Sequence, residues 1–518
     1  MGKNLWVYLL ISLFCIACST ENGERESDAC RFISGLGDAP LSNQFRVKVN
    51  GVEASVEKIG KIDIPIHYTQ MVYDETKPIQ IEVIVDNPIQ SYVISPLRKG
   101  IKAKAEGNRL LFTVDKAAYL LVKINNLEDL YLLINPVTDY QAQVRDKEII
   151  NVLKFGVDTT GVSKDTKKIQ AAIDEASRKQ AVLYFPKGKY HTGELYMRSN
   201  MTVLLADEAL IMGSTDPSDY QDKSLIRMDS VSNFQMLGYG TVDGAGWAGL
   251  RRNGAREFHL VYASNCKDVL YDGVVLRDPT FWNTRVYRSE RFHMKNLKIL
   301  NNRPYKNWTN TDGVDFDSSV DCSLVNAVIH AGDDNVVVKG LDSERVFATE
   351  RILFDNILTV SNSAAAKIGT ETCVEYFRDV TFKNIDVVKC KRGMVINGFD
   401  SARIENVRFE NITIEGFDFN GAEAPRLVDF EITDNSWREC TGNCAIDGVE
   451  ISNVNVLTNL NGVESQIFGK DGVHNINNVI IRDCRVLGRP ISSSVDINLS
   501  VNPFAVSYTH LRAHETSL

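Results

Sequence analysis

The chain has 518 residues, more than one ordinary globular core holds, which predicts either two domains or one long repeat array. Hydrophobic residues make up 44% and charged residues 24%, as in a folded soluble protein. The net charge of −9 and the lack of a long basic run argue against a nucleic-acid partner.

The first residues predict an export signal. One lysine precedes an apolar run from Leu5 to Ala17, which is too short for a comfortable membrane span, so residues 1–18 are interpreted as a signal peptide. Cys18 follows a small residue and precedes a polar, acidic stretch, a pattern that resembles a bacterial lipoprotein signal with Cys18 lipidated. We expect a periplasmic, outer-membrane or cell-surface protein that meets the membrane only through this lipid anchor, with simple secretion as the alternative.

Residues 28–146 predict a first domain built from strands. Short runs of alternating apolar and polar residues are separated by turn residues, and helical periodicity is weak. A small β-sandwich is the interpretation that this pattern favours. The region carries no evident catalytic constellation, so we expect an accessory or packing role.

A helix is predicted at the start of a second region, residues 150–500. Ile169, Ala172, Ile173 and Ala176 follow helical spacing after a glycine turn. Strands broken by turns come next, and this succession resembles the entrance to a pectin-lyase-type β-helix. The helix is expected to cover the open end of the first coil, which otherwise exposes unpaired backbone groups.

Short strand segments then recur with an asparagine inside each one. These asparagines are 30, 30, 28, 27 and 42 residues apart, at Asn296, Asn326, Asn356, Asn384, Asn411 and Asn453. The spacing predicts a solenoid with about one coil of three strands per interval, and an insertion near 417–446 explains the last interval. The fold predicted is therefore all-β: a right-handed parallel β-helix of the pectin-lyase type, with an inward ladder of asparagine amides.

Two features lie outside this repeat. Residues 505–518 match no coil and are interpreted as a non-native tail, with a natural disordered tail as the alternative. Cys440 and Cys444 are close enough in sequence to bridge within a loop, whereas most other cysteines lie in strand-like runs and are expected to be small buried residues.

The stretch from 307 to 340 carries the chemistry. It contains Asn310-Thr311-Asp312-Gly313 and Gly332-Asp333-Asp334-Asn335, with Asp333 lying 333 − 312 = 21 residues after Asp312. In a β-helix the two motifs fall on one face of neighbouring coils, which crowds the carboxylates and raises their pKa values. A glycosidase uses such crowding, because one carboxyl stays protonated as general acid while another activates water.

These motifs resemble glycoside hydrolase family 28, the polygalacturonase family, whose hallmarks are NTDG and, one coil later, GDD. The resemblance covers roughly 150–500. It implies that Asp333 is the general acid, that Asp312 and Asp334 orient and deprotonate the attacking water, and that Asn310 supports the site. It also implies inversion at the anomeric carbon, a polysaccharide substrate, no metal or organic cofactor, and a monomer.

Two departures from the family pattern concern the support of the site and its grip on the substrate. Ala364 stands where the family has the histidine of a GHG motif, and Val395 and Asn397 replace the two cations of an RIK motif that holds a galacturonate carboxylate. Lys339 and Lys367, on strands predicted to stack near the site, are candidates to replace that grip. The alternative for each lysine is a solvated outer face.

Further candidates for binding substrate are Asn397, Glu371 and Trp282. Glu371 is either a polar contact or the first exposed residue of a turn, and Trp282 either stacks on a sugar ring or anchors a loop. Asp315 and Asp317 share one strand face, which lines the cleft or is a plain outward surface.

Three function classes fit this pattern. The first is an inverting hydrolase of a plant or algal polysaccharide, for which galacturonan and neutral glycans are both open; the N-terminal β-domain also resembles the layout of the dextranase and isopullulanase family. The second is a polysaccharide lyase, which requires a uronate substrate and usually Ca²⁺. The third is a non-catalytic carbohydrate-binding solenoid, which Ala364 keeps open.

Overall fold

The computed structural model describes residues 26–27, 29–33, 40–59, 65–251, 253–254, 256–301, 310–342, 344, 347–434, 440 and 443–508. The predicted signal peptide, including Cys18, lies outside the described residues. In the part of the chain that is described, no helix is long and apolar enough to cross a membrane.

Two mixed or antiparallel sheets form the N-terminal domain. In the described ranges one sheet contains the strands Glu26–Ser27, Cys30–Ile33, Glu57–Ile59, Ile66–Tyr73, Tyr92–Ser95, Ala118–Ile124 and Asp129–Pro136. The other contains Arg46–Val49, Val52–Ala54, Ile79–Ile84, Ala103–Glu106 and Arg109–Val114. Apolar residues from both sheets share one core, among them Met71, Leu132, Ile81 and Phe112, which confirms the predicted β-sandwich.

The first of these sheets also packs on the following domain. Tyr131 and Leu133, on its second face, lie in one apolar cluster with Leu300, Val328 and Leu358. A sheet covered on both faces has no polar face to present, which explains why every residue of the strand Ile66–Tyr73 is buried.

The second domain is a right-handed parallel β-helix. One of its two sheets, called sheet A here, consists of eleven parallel strands in the described residues. They are β1 Leu195–Tyr196, β2 Ser224–Asp229, β3 His259–Ser264, β4 Thr284–Tyr287, β5 Val314–Asp317, β6 Val336–Leu341, β7 Ala364–Cys373, β8 Arg392–Gly398, β9 Arg426–Ile432, β10 Glu464–Phe468 and β11 Leu499–Val501.

The remaining strands of the solenoid form a longer sheet, called sheet B. Its described strands are Ile149–Asn151, Val182–Phe185, Gly188–Thr192, Met201–Leu205, Ala209–Gly213, Ser232–Gly238, Thr241–Asp243, Lys267–Asp272, Val275–Arg277, Glu290–Leu300, Val320–His330, Thr349–Val360, Tyr376–Lys389, Arg403–Glu410, Thr413–Ile414, Ala445–Ser452, Asn455–Val456, Ile476–Arg482, Arg485–Val486, Arg489–Pro490 and Ala505–Tyr508. Two α-helices, Tyr140–Val144 and Thr166–Arg178, and short helical turns at Leu97–Lys99, Val152–Phe155, Pro217–Asp219, Gly246–Leu250 and Ser494–Ile497 complete the described elements.

Stacked side chains hold the coils together. The rings of Phe354, Phe382 and Phe409 lie one above another inside the solenoid, with centroids 5.2 Å and 5.0 Å apart and nearly parallel planes. Each such aromatic pair contributes about 0.5–1.5 kcal/mol beyond its burial.

The predicted cap helix is confirmed at Thr166–Arg178. Ile169, Ala172, Ile173 and Ala176 are buried on its inner face. Gln170 exchanges two hydrogen bonds of 2.9 Å with the backbone of Tyr196 in β1. Its side chain therefore satisfies backbone groups at the first coil, where no earlier strand is available.

The recurring asparagines form a ladder at a corner of the solenoid, not in its interior. Asn296, Asn326 and Asn356 adopt positive φ of 54°, 56° and 57°. Asn326 donates to Oδ1 of Asn296 over 2.7 Å, and Asn356 donates to Oδ1 of Asn326 over 3.0 Å. The ladder was predicted correctly, but its inward placement was wrong, because each asparagine adopts a left-handed conformation at a bend within a long strand of sheet B and stays partly exposed.

The cysteines differ from the predicted pairing. Cys440 is disulfide-bonded to Cys373, which ends β7, and Cys444 is a free, buried thiol. The bond joins the insertion after β9 to sheet A, a contact between coils that spacing along the chain does not reveal. At the other end of the domain, Ala505–Tyr508 still pairs with the strand Ile476–Arg482, so the repeat continues past 505, while residues 509–518 lie outside the described residues.

Candidate active site

The two aspartate motifs lie side by side at the start of β5 and β6. Val314 pairs with Val336, and the amide of Gly313 donates to the carbonyl of Asp334 over 2.9 Å. Asp312 and Asp334 therefore occupy matching positions on neighbouring coils, as the motif spacing predicted. All three predicted catalytic carboxylates, Asp312, Asp333 and Asp334, are at most 4% exposed.

Buried amides and hydroxyls fix the backbone beneath these carboxylates. The Asn301 amide donates to the carbonyls of Thr311 and Asp312 over 2.9 Å and 3.2 Å. The Asn301 oxygen in turn accepts from the Asn283 amide over 2.8 Å. On the GDD side, the Ser361 hydroxyl donates to the carbonyl of Asp333 over 2.6 Å. The accepting carbonyls are buried and need a donor from the protein. These contacts therefore hold in place the turns that present the carboxylates.

Lys367 in β7 is the direct partner of Asp334. Its Nζ lies 2.7 Å from Oδ2, while the amide of Ala364 donates to Oδ1 over 2.8 Å. Arg392 at the start of β8 lies 3.7 Å from the same Oδ1. Burial alone would raise the pKa of Asp334, but Lys367, Arg392 and Lys339 together hold it well below its usual value.

Lys339 in β6 occupies the middle of a second cluster. Its Nζ lies 3.4 Å from Asp312, 3.5 Å from Asp315 and 3.2 Å from Glu371. It also lies 3.8 Å from the centre of the Trp282 ring, a cation–π contact. Burial lowers the pKa of this ammonium, yet the surrounding carboxylates raise it well above its usual value, so Lys339 stays charged.

The other two predicted catalytic carboxyls hold their protons more tightly than Asp334. Burial raises the pKa of Asp333 well above its usual value, and the charges of Asp312 and Asp334 raise it further. Burial raises the pKa of Asp312 to about 6, with Lys339 opposing that change. One site thus contains a carboxyl that keeps its proton and a neighbour that loses it readily, the division that general acid and base require.

The remaining predicted residues lie at the edges of this arrangement. Asn310 is half-buried, two residues before Asp312. Asn397 is buried and accepts a 3.2 Å hydrogen bond from Arg392. Trp282 is 7% exposed, and its ring also stacks on that of Phe281. Lys339 and Lys367 are buried and contact carboxylates. The alternative of a solvated outer face is therefore wrong for both lysines.

The sequence did not single out Arg392, which lies beside Asp334, whereas the strand face of Asp315 was predicted either to line the cleft or to be outward surface, and Asp315 lies beside Lys339. Asp315 is fully buried, and neither of its carboxyl oxygens has a hydrogen-bond partner in the described residues. Arg392 pairs in register with Ala364, the residue at the family's histidine position, and donates to the Ser363 hydroxyl over 3.0 Å. The register between strands, which the sequence alone does not give, is the signal that identifies Arg392.

Comparisons with known proteins identify the family of the chain. The family model described as "Glycosyl hydrolases family 28" matches residues 176–498. The chain is 23% identical to a polygalacturonase of Gossypium barbadense over 68% of this chain and 88% of that protein. It is 22% identical to an exo-poly-alpha-D-galacturonosidase of Dickeya chrysanthemi over 57% of this chain and 63% of that one.

Two solved structures share the fold over most of the chain. The family 28 exopolygalacturonase of Yersinia enterocolitica superposes with a TM-score of 0.53 at 16% identity, covering 90% of this chain and 98% of that one. Dex49A from Penicillium minioluteum superposes with a TM-score of 0.54 at 12% identity, covering 92% and 95%. At these identities the likeness concerns the fold alone.

Proposed function

Because the chain belongs to glycosyl hydrolase family 28, and is therefore a glycoside hydrolase, we propose that it cleaves a galacturonate-containing plant polysaccharide with inversion of configuration. Support for the substrate class comes from the relatives, which are named polygalacturonases and exopolygalacturonases.

The observation that carries the mechanism is the difference in surroundings between two adjacent buried carboxyls. Asp333 retains its proton because it is buried beside two other carboxylates. Asp334 is ionised because it is paired with Lys367. A protonated acid beside an ionised base is the pair that hydrolysis of a glycoside needs at mildly acidic pH.

In this mechanism Asp333 gives its proton to the glycosidic oxygen as the bond from that oxygen to the anomeric carbon breaks. A water held by Asp312 and Asp334 attacks the anomeric carbon from the opposite face, and one of the two carboxylates takes the water's proton. The products are a new hemiacetal and a free hydroxyl. Asp333 then takes up a proton from solvent, and the carboxylate that accepted the water's proton releases it. Both groups return to their starting states.

Lys339 and Lys367 act on this chemistry through the carboxylates. Lys367 keeps Asp334 ionised, and Lys339 offsets the charges of Asp312, Asp315 and Glu371. The proposal that these lysines also hold substrate carboxylates, made from the sequence, requires a uronate to compete with partners already in contact.

The test is a reducing-end assay of the mature protein on homogalacturonan, rhamnogalacturonan, dextran, pullulan, arabinogalactan and carrageenan, beside Asp333→Asn. New reducing ends from a galacturonate polymer that vanish in the variant support the proposal. Cleavage of a neutral polymer alone would contradict the substrate class, and an unsaturated, ultraviolet-absorbing product would indicate elimination.

We also propose export as a lipoprotein anchored at Cys18 and action as a monomer. The support is the apolar run and the small residue before the cysteine. Metabolic labelling with radioactive palmitate tests the anchor: the wild type is expected to incorporate label, and Cys18→Ser is not. Light scattering of the mature protein tests the monomer, and a mass of twice the chain would contradict it.

A further inference from the structure

A histidine lies where sheet B leads into the GDD motif. His330 ends the strand Val320–His330, and Asp333, the proposed acid, follows three residues later. Ile329 points into the core of the solenoid, whereas Val328 packs outward against the N-terminal domain. Because side chains alternate along a strand, His330 also points outward. It is 1% exposed and therefore lies buried between the two domains.

The N-terminal domain reaches this histidine through a tyrosine hydroxyl. The hydroxyl of Tyr131 and Nδ1 of His330 share a hydrogen bond over 2.8 Å, and the two rings meet edge to face with centroids 5.9 Å apart. Tyr131 is fully buried in the strand Asp129–Pro136, which pairs with Ile66–Tyr73 on one side and Ala118–Ile124 on the other. A strand paired on both sides holds its side chains in place, so the hydroxyl fixes the direction of the imidazole.

The turn that follows His330 directs one of the two adjacent carboxyls more than the other. Asp334 is held from the next coil by Lys367 and by the amide of Ala364. The Asp333 carboxyl instead accepts from the amide of Asp334, within the turn itself, over 3.0 Å. The direction of the Asp333 carboxyl therefore follows the position of the turn, which begins at His330.

We infer, on the basis of the proposed function, that the N-terminal domain takes part in catalysis: Tyr131, through His330, holds the turn that directs the Asp333 carboxyl at the glycosidic oxygen. Tyr131 is a positioning residue, since it lies between the domains and acts through the histidine. The domain predicted to have an accessory or packing role thus also sets the geometry of proton transfer. A shift of about 1 Å at a reacting group costs up to about 100-fold in rate, so a distant hydroxyl is able to control it.

The first experiment compares Tyr131→Phe with the wild type on a galacturonate polymer and on an activated aryl glycoside. We expect kcat on the polymer to fall about tenfold with KM nearly unchanged, because the acid is misdirected while substrate contacts remain. The aryl glycoside is expected to react as fast as with the wild type, since departure of an acidic phenol needs no proton. An unchanged kcat on the polymer, or an equal loss on both substrates, would overturn the inference.

A matched control lies in the same interface. The Tyr119 hydroxyl donates to Oδ1 of Asn135 over 3.3 Å, and its ring belongs to the same apolar cluster as Tyr131. Tyr119→Phe removes an equivalent buried hydroxyl whose partner is not in the catalytic turn, so both substrates are expected to react at wild-type rates. A loss equal to that of Tyr131→Phe would mean that any defect in the interface slows the enzyme and would overturn the inference.

A double variant separates positioning from stability. Tyr131→Phe leaves the imidazole without its hydroxyl partner, which is expected to destabilise the protein. Tyr131→Phe combined with His330→Leu removes both polar groups and is expected to restore stability in urea unfolding but not kcat on the polymer. Recovery of kcat together with stability would show that the contact only packs the domains, and would overturn the inference.

The same assays distinguish this inference from the proposed function. Polymer hydrolysis by the wild type that Asp333→Asn abolishes and Tyr131→Phe leaves intact would overturn the inference alone. If the wild type hydrolysed no galacturonate polymer, the proposed function would fail, and the inference that rests on it would fail as well.

Discussion

Lys367 Nζ lies 2.7 Å from Oδ2 of Asp334. Lys367 lies in β7, and Asp334 lies just before β6, the neighbouring strand of sheet A. The contact joins a lysine on an outward strand position to the second aspartate of the GDD motif. It makes Asp334 an anion in a place where burial alone would keep it neutral. The proposed division of labour between Asp333 and Asp334 depends on this pair.

Replacing Lys367 by methionine should therefore impair catalysis at acidic pH more than at neutral pH. Without the cation the pKa of Asp334 rises, so the fraction of enzyme with an ionised base falls as pH is lowered. We expect kcat to fall by about 10²–10⁴, the usual contribution of a general base. Full pH–rate profiles measure this change. Lys367→Arg keeps the charge and is expected to recover most of the loss; equal profiles for the two variants would contradict the assignment.

Replacing Asp333 by asparagine should remove the general acid without removing the base. Hydrolysis of the polysaccharide is expected to fall by about 10²–10⁴. An aryl glycoside whose leaving group needs no proton should be cleaved nearly as fast as by the wild type. Asp334→Asn should lose activity on both substrates, because water activation is still required. If the aryl glycoside also responds to Asp333→Asn, Asp333 is not the acid.

The pH profile should have an acid limb set by Asp312. Burial raises its pKa to about 6, and it must be ionised to help orient and deprotonate water. The value of kcat/KM should therefore rise with pH up to about 6 and fall again at higher pH, where Asp333 loses its proton. Initial rates between pH 3 and pH 9 measure both limbs. A flat profile below pH 6 would contradict the role of Asp312.

Lys339→Met should destabilise the fold. The substitution leaves Asp312, Asp315 and Glu371 without their shared cation, and uncompensated buried charges cost about 3–5 kcal/mol. The loss should shrink at low pH, because burial raises the pKa values of Asp312 and Asp315, which therefore lose their charges as the pH falls. Urea unfolding at pH 7 and pH 4 measures the free energy of unfolding. Lys267→Met, which breaks a half-exposed pair with Glu290, is the control and should cost about 1 kcal/mol or less.

The disulfide between Cys373 and Cys440 should be present in protein purified without a reductant. Peptide mapping without reduction is expected to join the two residues and to leave Cys444 free for alkylation after unfolding. Removing the bond with Cys373→Ser should lower the free energy of unfolding by about 2–4 kcal/mol. A bond between Cys440 and Cys444 in the map would contradict the structure.

The sequence predicted the parts of the fold that repeat. Asparagine spacing gave the coils, helical spacing gave the cap helix, and the separation of Asp312 and Asp333 placed the motifs on neighbouring strands. The coils and the motifs were predictable because one coil length governs both, and the cap helix was predictable because its buried residues follow helical spacing. The same reasoning misplaced the asparagines, since a strand residue at positive φ points along a corner and not into the core.

Contacts between distant coils were beyond sequence reasoning. Arg392 in β8 lies beside Asp334, and the register of sheet A shifts between Val338 and Gly340, so counting residues along the chain does not align the side chains of successive strands. The Cys373–Cys440 bond also joins distant parts of the chain: it spans 67 residues, a separation that gives no sign of the pairing. The lysines were identified as site residues, but their carboxylate partners depend on side-chain directions that only the structure gives.

The most direct test of the central claim is the anomeric configuration of the first product, followed by proton NMR during digestion of a galacturonate-containing polymer. Hydrolysis by Asp333 and a water held by Asp312 and Asp334 predicts that the new reducing end appears first with the configuration opposite to that of the cleaved bond, and equilibrates later by mutarotation. A first product with the original configuration would require a covalent intermediate and would contradict the mechanism.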